Sequence, residues 1–152
     1  MYFDSDHVHD QVTRRSVPGV LSFVGSTHIS CTSKRRVTIK ISSYSAEFCA
    51  GQVATKEAIA LRYIFRFLGV PVKGTTSLCG YNLGMIIYCT NPDLDIKKKL
   101  VAISNHKLGE SAAAVIVNSL KVCTTVNQSD IPNKGVLAVT LGSLSDTLYG
   151  VD

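Results

Sequence analysis

Acidic side chains are scarce in this chain: 11 Asp and Glu stand against 16 Lys and Arg, for a formal net charge of +5. That imbalance favours polyanionic partners, nucleic acid foremost. Long hydrophobic runs are lacking too. The longest, Ala112–Val117, is far too short to cross a bilayer. The first ten residues are polar and acidic, not a charged-then-apolar leader. The expectation is an intracellular protein, cytoplasmic or nuclear, not secreted. Cysteine is present five times, at Cys31, Cys49, Cys79, Cys89 and Cys123, with no close pair and no metal-type spacing. An odd, scattered set argues against a closed disulfide framework and reads as thiols packed as small hydrophobes. There is no internal repeat and no linker. What remains suits one globular domain with a real core: 152 residues, 45% hydrophobic and 18% charged.

The pattern along the chain is strands first, then helices alternating with strands. Met1–Asp6 and Val17–Val24 read as strands, His28–Ser33 as a short third, and Val37–Ile41 as a further strand piece. Ser42–Ser45 offers several N-cap candidates. From Ala46 the period becomes helical, with Phe48, Ala54, Ala58, Leu61, Phe65 and Leu68 spaced as a core stripe. Tyr63, Phe65 and Phe67 are expected to pack in or near the core rather than to stack on bases. Gly69 is placed to stop the helix at C′, and Pro71 follows. Thr75–Cys79 is a strand candidate, and Leu83–Tyr88 a short helix. Asp95 to about Val117 reads as a longer helix, and Leu120–Val126 as the last strand. This order predicts an α/β domain with a mixed sheet, antiparallel at first and then parallel through helical crossovers.

Because carboxylates are few, their positions carry information. Asp4 falls on the first strand, Glu47 in the first turn of the long helix, and Asp130 just past the last strand. Ligand sites of such sheets form at strand ends near helix starts. A carboxylate cluster there is the hard-oxygen site that Mg²⁺ prefers, and paired Mg²⁺ ions support phosphodiester cleavage. The plainer reading has Glu47 as a helix-start residue favoured by the dipole, Asp130 as a turn residue and Asp4 as solvated.

An ordered set of motifs gives a sharper expectation. Asp4-Ser5-Asp6, Arg14-Arg15-Ser16, the Gly19–Gly25 strand and Ile29-Ser30-Cys31-Thr32-Ser33-Lys34 come first. The helix ISSYSAEFCAGQVATKEAIALRYIFRFLG, the corner GYNLGM, the Lys-rich NPDLDIKKKLVAISNHKLGES and the ending SDIPNK follow. Together they resemble the ribonuclease H domain of copia-type retrotransposon polyproteins, in order, from about Phe3 to Lys134. The resemblance implies a ribonuclease H-like fold, a mixed five-stranded sheet flanked by helices over residues 1–134. Residues 135–152 would form a loosely structured tail.

It also implies endonucleolytic hydrolysis of the RNA strand of an RNA–DNA hybrid by four carboxylates and two Mg²⁺ or Mn²⁺ ions. By motif position Asp4, Glu47 and Asp130 match three of those catalytic, metal-binding acids. The third acid belongs in a Gly-Asp-Asn corner, and here that position is Tyr81. A neutral phenol is a poor Mg²⁺ ligand, so the resemblance implies a weakened or inactive nuclease. Pro132 restricts Ile131, which bears on the position of Asp130. Asp6, two residues from Asp4, shares its strand face and is a candidate substitute ligand. Arg14, Arg15, Lys34, Arg35, Lys97 and Lys98 are the candidates for phosphate contact, with a solvated, solubilising face as the alternative. The implied partners are an RNA–DNA hybrid or other nucleic acid and a reverse transcriptase domain. A non-catalytic nucleic-acid-binding module and an inactive retroelement remnant stand beside the nuclease reading.

Overall fold

The computed structural model describes residues 1–6, 15–34, 43–81, 86, 109–123 and 127–129, with backbone alone for Asp6, Ser43 and Tyr44. The expected strand piece Val37–Ile41, the short helix Leu83–Tyr88 apart from Ile86, the lysines Lys97–Lys99, Asp130 and the tail lie outside the described residues. In chain order the elements are β1 (Tyr2–Asp6), β2 (Val17–Val24), β3 (Thr27–Ser33), α1 (Ser43–Phe67), β4 (Thr76–Gly80) and β5 (Val117–Lys121).

The strands form one five-stranded sheet in the order β3-β2-β1-β4-β5. β1–β2 and β2–β3 pair antiparallel, while β1–β4 and β4–β5 pair parallel. The mixed sheet expected from the sequence is therefore present. Its central strand, β1, is where the pairing changes from antiparallel to parallel.

The core lies between the sheet and α1. Ala46, Ala50, Ala54 and Ala58, at four-residue steps, are buried, and their small side chains let the helix lie close to the strands. Phe3, Val20, Phe48, Leu78 and Val117 fill the space around them. Burying each of the larger of these is worth about 1.5–3 kcal/mol.

The expected stripe holds for Phe48, Ala54 and Ala58, and then departs from expectation. Leu61 and Phe65 are only half-buried, and Leu68 is 64% exposed. Tyr63 and Phe67, expected in or near the core, are 66% and 91% exposed. Tyr63 and Phe67 lie opposite the alanine stripe, on the face turned away from the sheet; for Leu68 the reason is length. A helix of 25 residues runs about 37 Å at 1.5 Å per residue. The five-residue central strand spans only about 17 Å. The last turns of α1 thus keep only Leu61 and Phe65 toward the sheet, beside a cavity that Phe23, Val24 and Ile29 also line, and leave their outer face exposed.

Gly69 ends α1 as expected. It has φ 79°, and the bonds Gly69 N–H to Arg66 O (3.1 Å) and Val70 N–H to Phe65 O (2.9 Å) form a Schellman cap. The same motif corrects the next expectation. A helix to Val117 and a strand from Leu120 were expected. Instead residues 109–113 are helical, the chain turns, and β5 begins at Val117. The turn is again a Schellman cap, with Val115 N–H to Ala112 O (2.9 Å) and Ile116 N–H to Ser111 O (3.0 Å).

Here the left-handed residue is not glycine but Val115, at φ 57°. A β-branched residue in that region is strained by about 1–2 kcal/mol. Val115 is well exposed, so nothing else depends on its side chain. Val115→Gly relieves the strain, and the extra freedom of glycine in the unfolded chain offsets about 0.5–1 kcal/mol. The expected net gain is about 1 kcal/mol, read as a rise in thermal midpoint of about 2–4 °C.

Candidate functional site

The site is assembled by sheet register. Tyr2 of β1 pairs with Cys79 of β4 in parallel. Two residues further along each strand, Asp4 and Tyr81 are brought side by side at the carboxyl end of β4. Ligand sites of parallel strands gather at this end. Glu47 approaches from α1. The helix opens at Ser43, so Glu47 lies beyond its first turn, which holds no acidic residue. The helix-start reading of Glu47 therefore does not apply; it is a buried residue, 2% exposed, turned toward the sheet.

The three side chains meet. The Tyr81 hydroxyl donates a hydrogen bond to Glu47 Oε1 at 2.5 Å, and it lies within hydrogen-bonding reach of Asp4 as well. Asp4 is fully buried. Burial is the largest cause raising the Tyr81 phenol above its usual pKa, and the Glu47 and Asp4 carboxylates raise it further. The phenol is accordingly a neutral donor at physiological pH. It links two acids that would otherwise face each other across a buried gap.

The segment leading to Asp130 is anchored next to Asp4. Asn127 is fully buried, and its Nδ2 donates to Phe3 O at 3.2 Å. Its Oδ1 accepts from Ser129 Oγ at 2.7 Å and Ser129 N at 3.3 Å. Phe3 precedes Asp4 in β1, so one amide ties the 127–129 segment to the strand that carries Asp4. This role had no local sequence signal.

The structure thus brings Asp4, Glu47 and Tyr81 together, while Asp130 lies outside the described residues. Among the described residues no group of three His, Cys, Asp or Glu side chains is placed to hold a metal ion. Among the described residues the cluster offers two carboxylates bridged by a protonated phenol, and a neutral phenol is a poor ligand for Mg²⁺. Of the phosphate-contact candidates, Arg15 and Lys34 are described. Arg15 precedes β2 and Lys34 follows β3. Asp4 pairs with Gly19, and Gly19 with Ser33. Lys34 therefore flanks the row that contains Asp4, about 10 Å away across two strand spacings. Arg14, Arg35, Lys97 and Lys98 lie outside the described residues.

No family model matches the chain. Solved structures do. One is RNase H1 from the halophilic archaeon Halobacterium salinarum NRC-1, with 13% identity and a TM-score of 0.65, covering 87% of this chain and 91% of that one. Another is the N-terminal RNase H domain of Rv2228c from Mycobacterium tuberculosis, determined as a fusion with maltose-binding protein. It shows 10% identity and a TM-score of 0.66, covering 93% of this chain and 94% of that one. The fold is that of ribonuclease H. At these identities the likeness concerns the fold alone. In that ribonuclease H fold the Asp4–Tyr81–Glu47 cluster occupies the carboxyl end of the parallel strands.

Four of the cysteines, Cys31, Cys49, Cys79 and Cys123, form no disulfide, and Cys89 lies outside the described residues. No helix among the described residues is long and apolar enough to cross a membrane.

Proposed function

We propose that this chain is a nucleic-acid-binding domain descended from retrotransposon ribonucleases H, in which cleavage of RNA–DNA hybrids is impaired. One observation carries the reading: the Tyr81 hydroxyl is bonded to Glu47 and reaches Asp4, at the place where an anionic ligand is needed. The ordered motifs of the sequence support the copia-type origin, and a reverse transcriptase domain is the partner that origin implies.

The chemistry follows from the donor set. Phosphodiester hydrolysis in this fold needs the scissile phosphate aligned and its developing charge neutralised. Asp4 and Glu47 supply two hard-oxygen donors, but the phenol between them is neutral and a ring stands where a carboxylate belongs. What the chain's own groups can still do is hold a duplex. Arg15 precedes β2 and Lys34 follows β3, so both flank the same end of the antiparallel strands, and the net charge of +5 draws polyanions to the surface. Each phosphate neutralised releases counterions, so affinity falls steeply as salt rises.

The test is one preparation assayed twice, with Asp4→Asn as the blank. Binding of a labelled RNA–DNA hybrid is expected, with log affinity falling linearly against log salt. Cleavage with Mg²⁺ or Mn²⁺ is expected to match the blank. Cleavage clearly above the blank overturns the impaired reading and makes Asp4, Glu47 and Asp130 sufficient. Absence of salt-dependent binding overturns the binding function and leaves an inactive remnant.

A further inference from the structure

The carboxyl-terminal part of α1 has a second apolar face, opposite the alanine stripe. Tyr63, Ile64, Phe67 and Leu68 are exposed there, at the spacing by which one helix packs on another. Val70, just past the helix end, extends the patch. An exposed apolar surface of this extent marks an interaction site.

Beside it is a concave feature. A cavity of about 240 Å³ lies between α1 and the segment after it, lined by Ile59, Tyr63, Pro71, Val72 and Ile116, with Arg62 and Arg66 at its margin. Arg62 is held in place by bonds to Gly74 O at 2.8 Å and Thr76 Oγ1 at 3.2 Å. Arg66 is exposed, and no such bond fixes it among the described residues.

Along the stretch of sequence that carries this patch the charged side chains are basic. Between Ala58 and Pro92 the sequence has no Asp or Glu, while Arg62, Arg66 and Lys73 are present. The preceding acid, Glu57, is turned to Thr32 of β3, with which it shares a hydrogen bond. We propose that the exposed face at the carboxyl end of α1 docks an acidic amphipathic helix of a protein partner. One apolar side chain enters the cavity beside Tyr63, and a carboxylate pairs with Arg66.

Charge complementarity selects this occupant. A second copy would set like-charged arginines against one another across a two-fold axis. Nucleic acid accounts for the arginines but leaves Ile64, Leu68 and Val70 without a role. An anionic bilayer is a flat surface and does not fill a cavity sized for one side chain. The helix-in-groove mode uses apolar anchors at i, i+3, i+4 and i+7 with flanking charge, and this surface offers the complement of that pattern. The proposal is independent of nucleic-acid binding and of cleavage, which occupy the other end of the sheet.

The test uses two synthetic 20-residue amphipathic helices, one of Leu and Glu and one of Leu and Lys, each labelled and titrated with the protein by anisotropy. The acidic peptide is expected to bind at least about tenfold more tightly than the basic one, and Phe67→Ser to cost it at least about tenfold, as removal of an interface anchor does. Arg66→Glu is expected to reverse the preference. Both substituted residues are exposed, and circular dichroism of the variants checks that they fold. Equal binding of the two peptides, or acidic-peptide binding unchanged in Phe67→Ser, overturns the proposal. So does oligo(dT) or a phosphatidylserine vesicle displacing the acidic peptide. A concentration-dependent dimer in sedimentation that Phe67→Ser abolishes assigns the face to a second copy and overturns it as well.

Discussion

Tyr81→Asp is expected to gain hybrid cleavage over the wild type. The variant places a carboxylate beside Asp4 and Glu47 and removes the ring that now bonds Glu47. Restoring one preorganised charged group at a site of this kind is worth about 10²–10³ in rate. Cleavage rate with Mg²⁺, measured beside wild type and Asp4→Asn, is the primary readout.

A second readout separates loss of a ligand from loss of the fold. Without metal, Tyr81→Asp adds a half-buried carboxylate beside the buried Asp4 and Glu47 and removes the phenol that now donates to Glu47. Its thermal midpoint is therefore expected below that of wild type. Added Mg²⁺ or Mn²⁺ binds the folded form and is expected to raise the midpoint of the variant, with little effect on wild type. If the variant melts like wild type with and without metal and does not cut, Tyr81 is not what separates this chain from catalysis. Attention then moves to Pro132 and the setting of Asp130. Tyr81→Phe serves as the control, because it deletes the hydroxyl and adds no anion. It is expected to be less stable than wild type and no more active.

The sequence was most readable where one local signal had one structural meaning. β2 was expected at Val17–Val24 and lies there. Gly69 followed by Pro71 marked the end of α1, and the cap geometry agrees. The run Ala112–Val117 was misread because its end has no glycine. Val115 takes the left-handed position that glycine normally signals, so the pattern continued as helix through a turn and displaced β5 by three residues.

Tyr63 and Phe67 were misplaced for a different reason. Their spacing is that of a packed helix, but it falls on the face opposite the alanine stripe that meets the sheet. At the site, the motif order singled out Asp4, Glu47 and Tyr81. It gave no sign that the tyrosine binds the glutamate directly, or that Asn127 ties Phe3 to Ser129. Those are contacts across 34 and 124 residues of chain, and local pattern does not encode them.

Gly80→Ala is expected to destabilise the fold by about 3 kcal/mol, the upper part of the range for overpacking a filled core. Gly80 ends β4 directly before Tyr81, and it is buried. A Cβ at this position would sit within 3.0 Å of three atoms of the Phe3 ring. Phe3 is 1% exposed and among the largest fully buried side chains. Its ring is packed in the core, and its carbonyl is held by Asn127. The clash must therefore be relieved by shifting β4 against β1, the pair that sets Tyr81 beside Asp4.

Two measurements test this. Urea denaturation of Gly80→Ala gives the loss, and the double variant with Phe3→Leu gives the coupling. Phe3→Leu alone opens a cavity and costs stability. If the contact with Gly80 is the cause, alanine at 80 fills part of that cavity, and the double variant is more stable than the sum of the single losses predicts. Additive losses would mean that Gly80 is needed for its backbone and not for the space it leaves to Phe3. In the coupled case one missing methyl group does two things: it closes the core under β1 and β4, and it fixes the register on which the Asp4–Tyr81–Glu47 cluster depends.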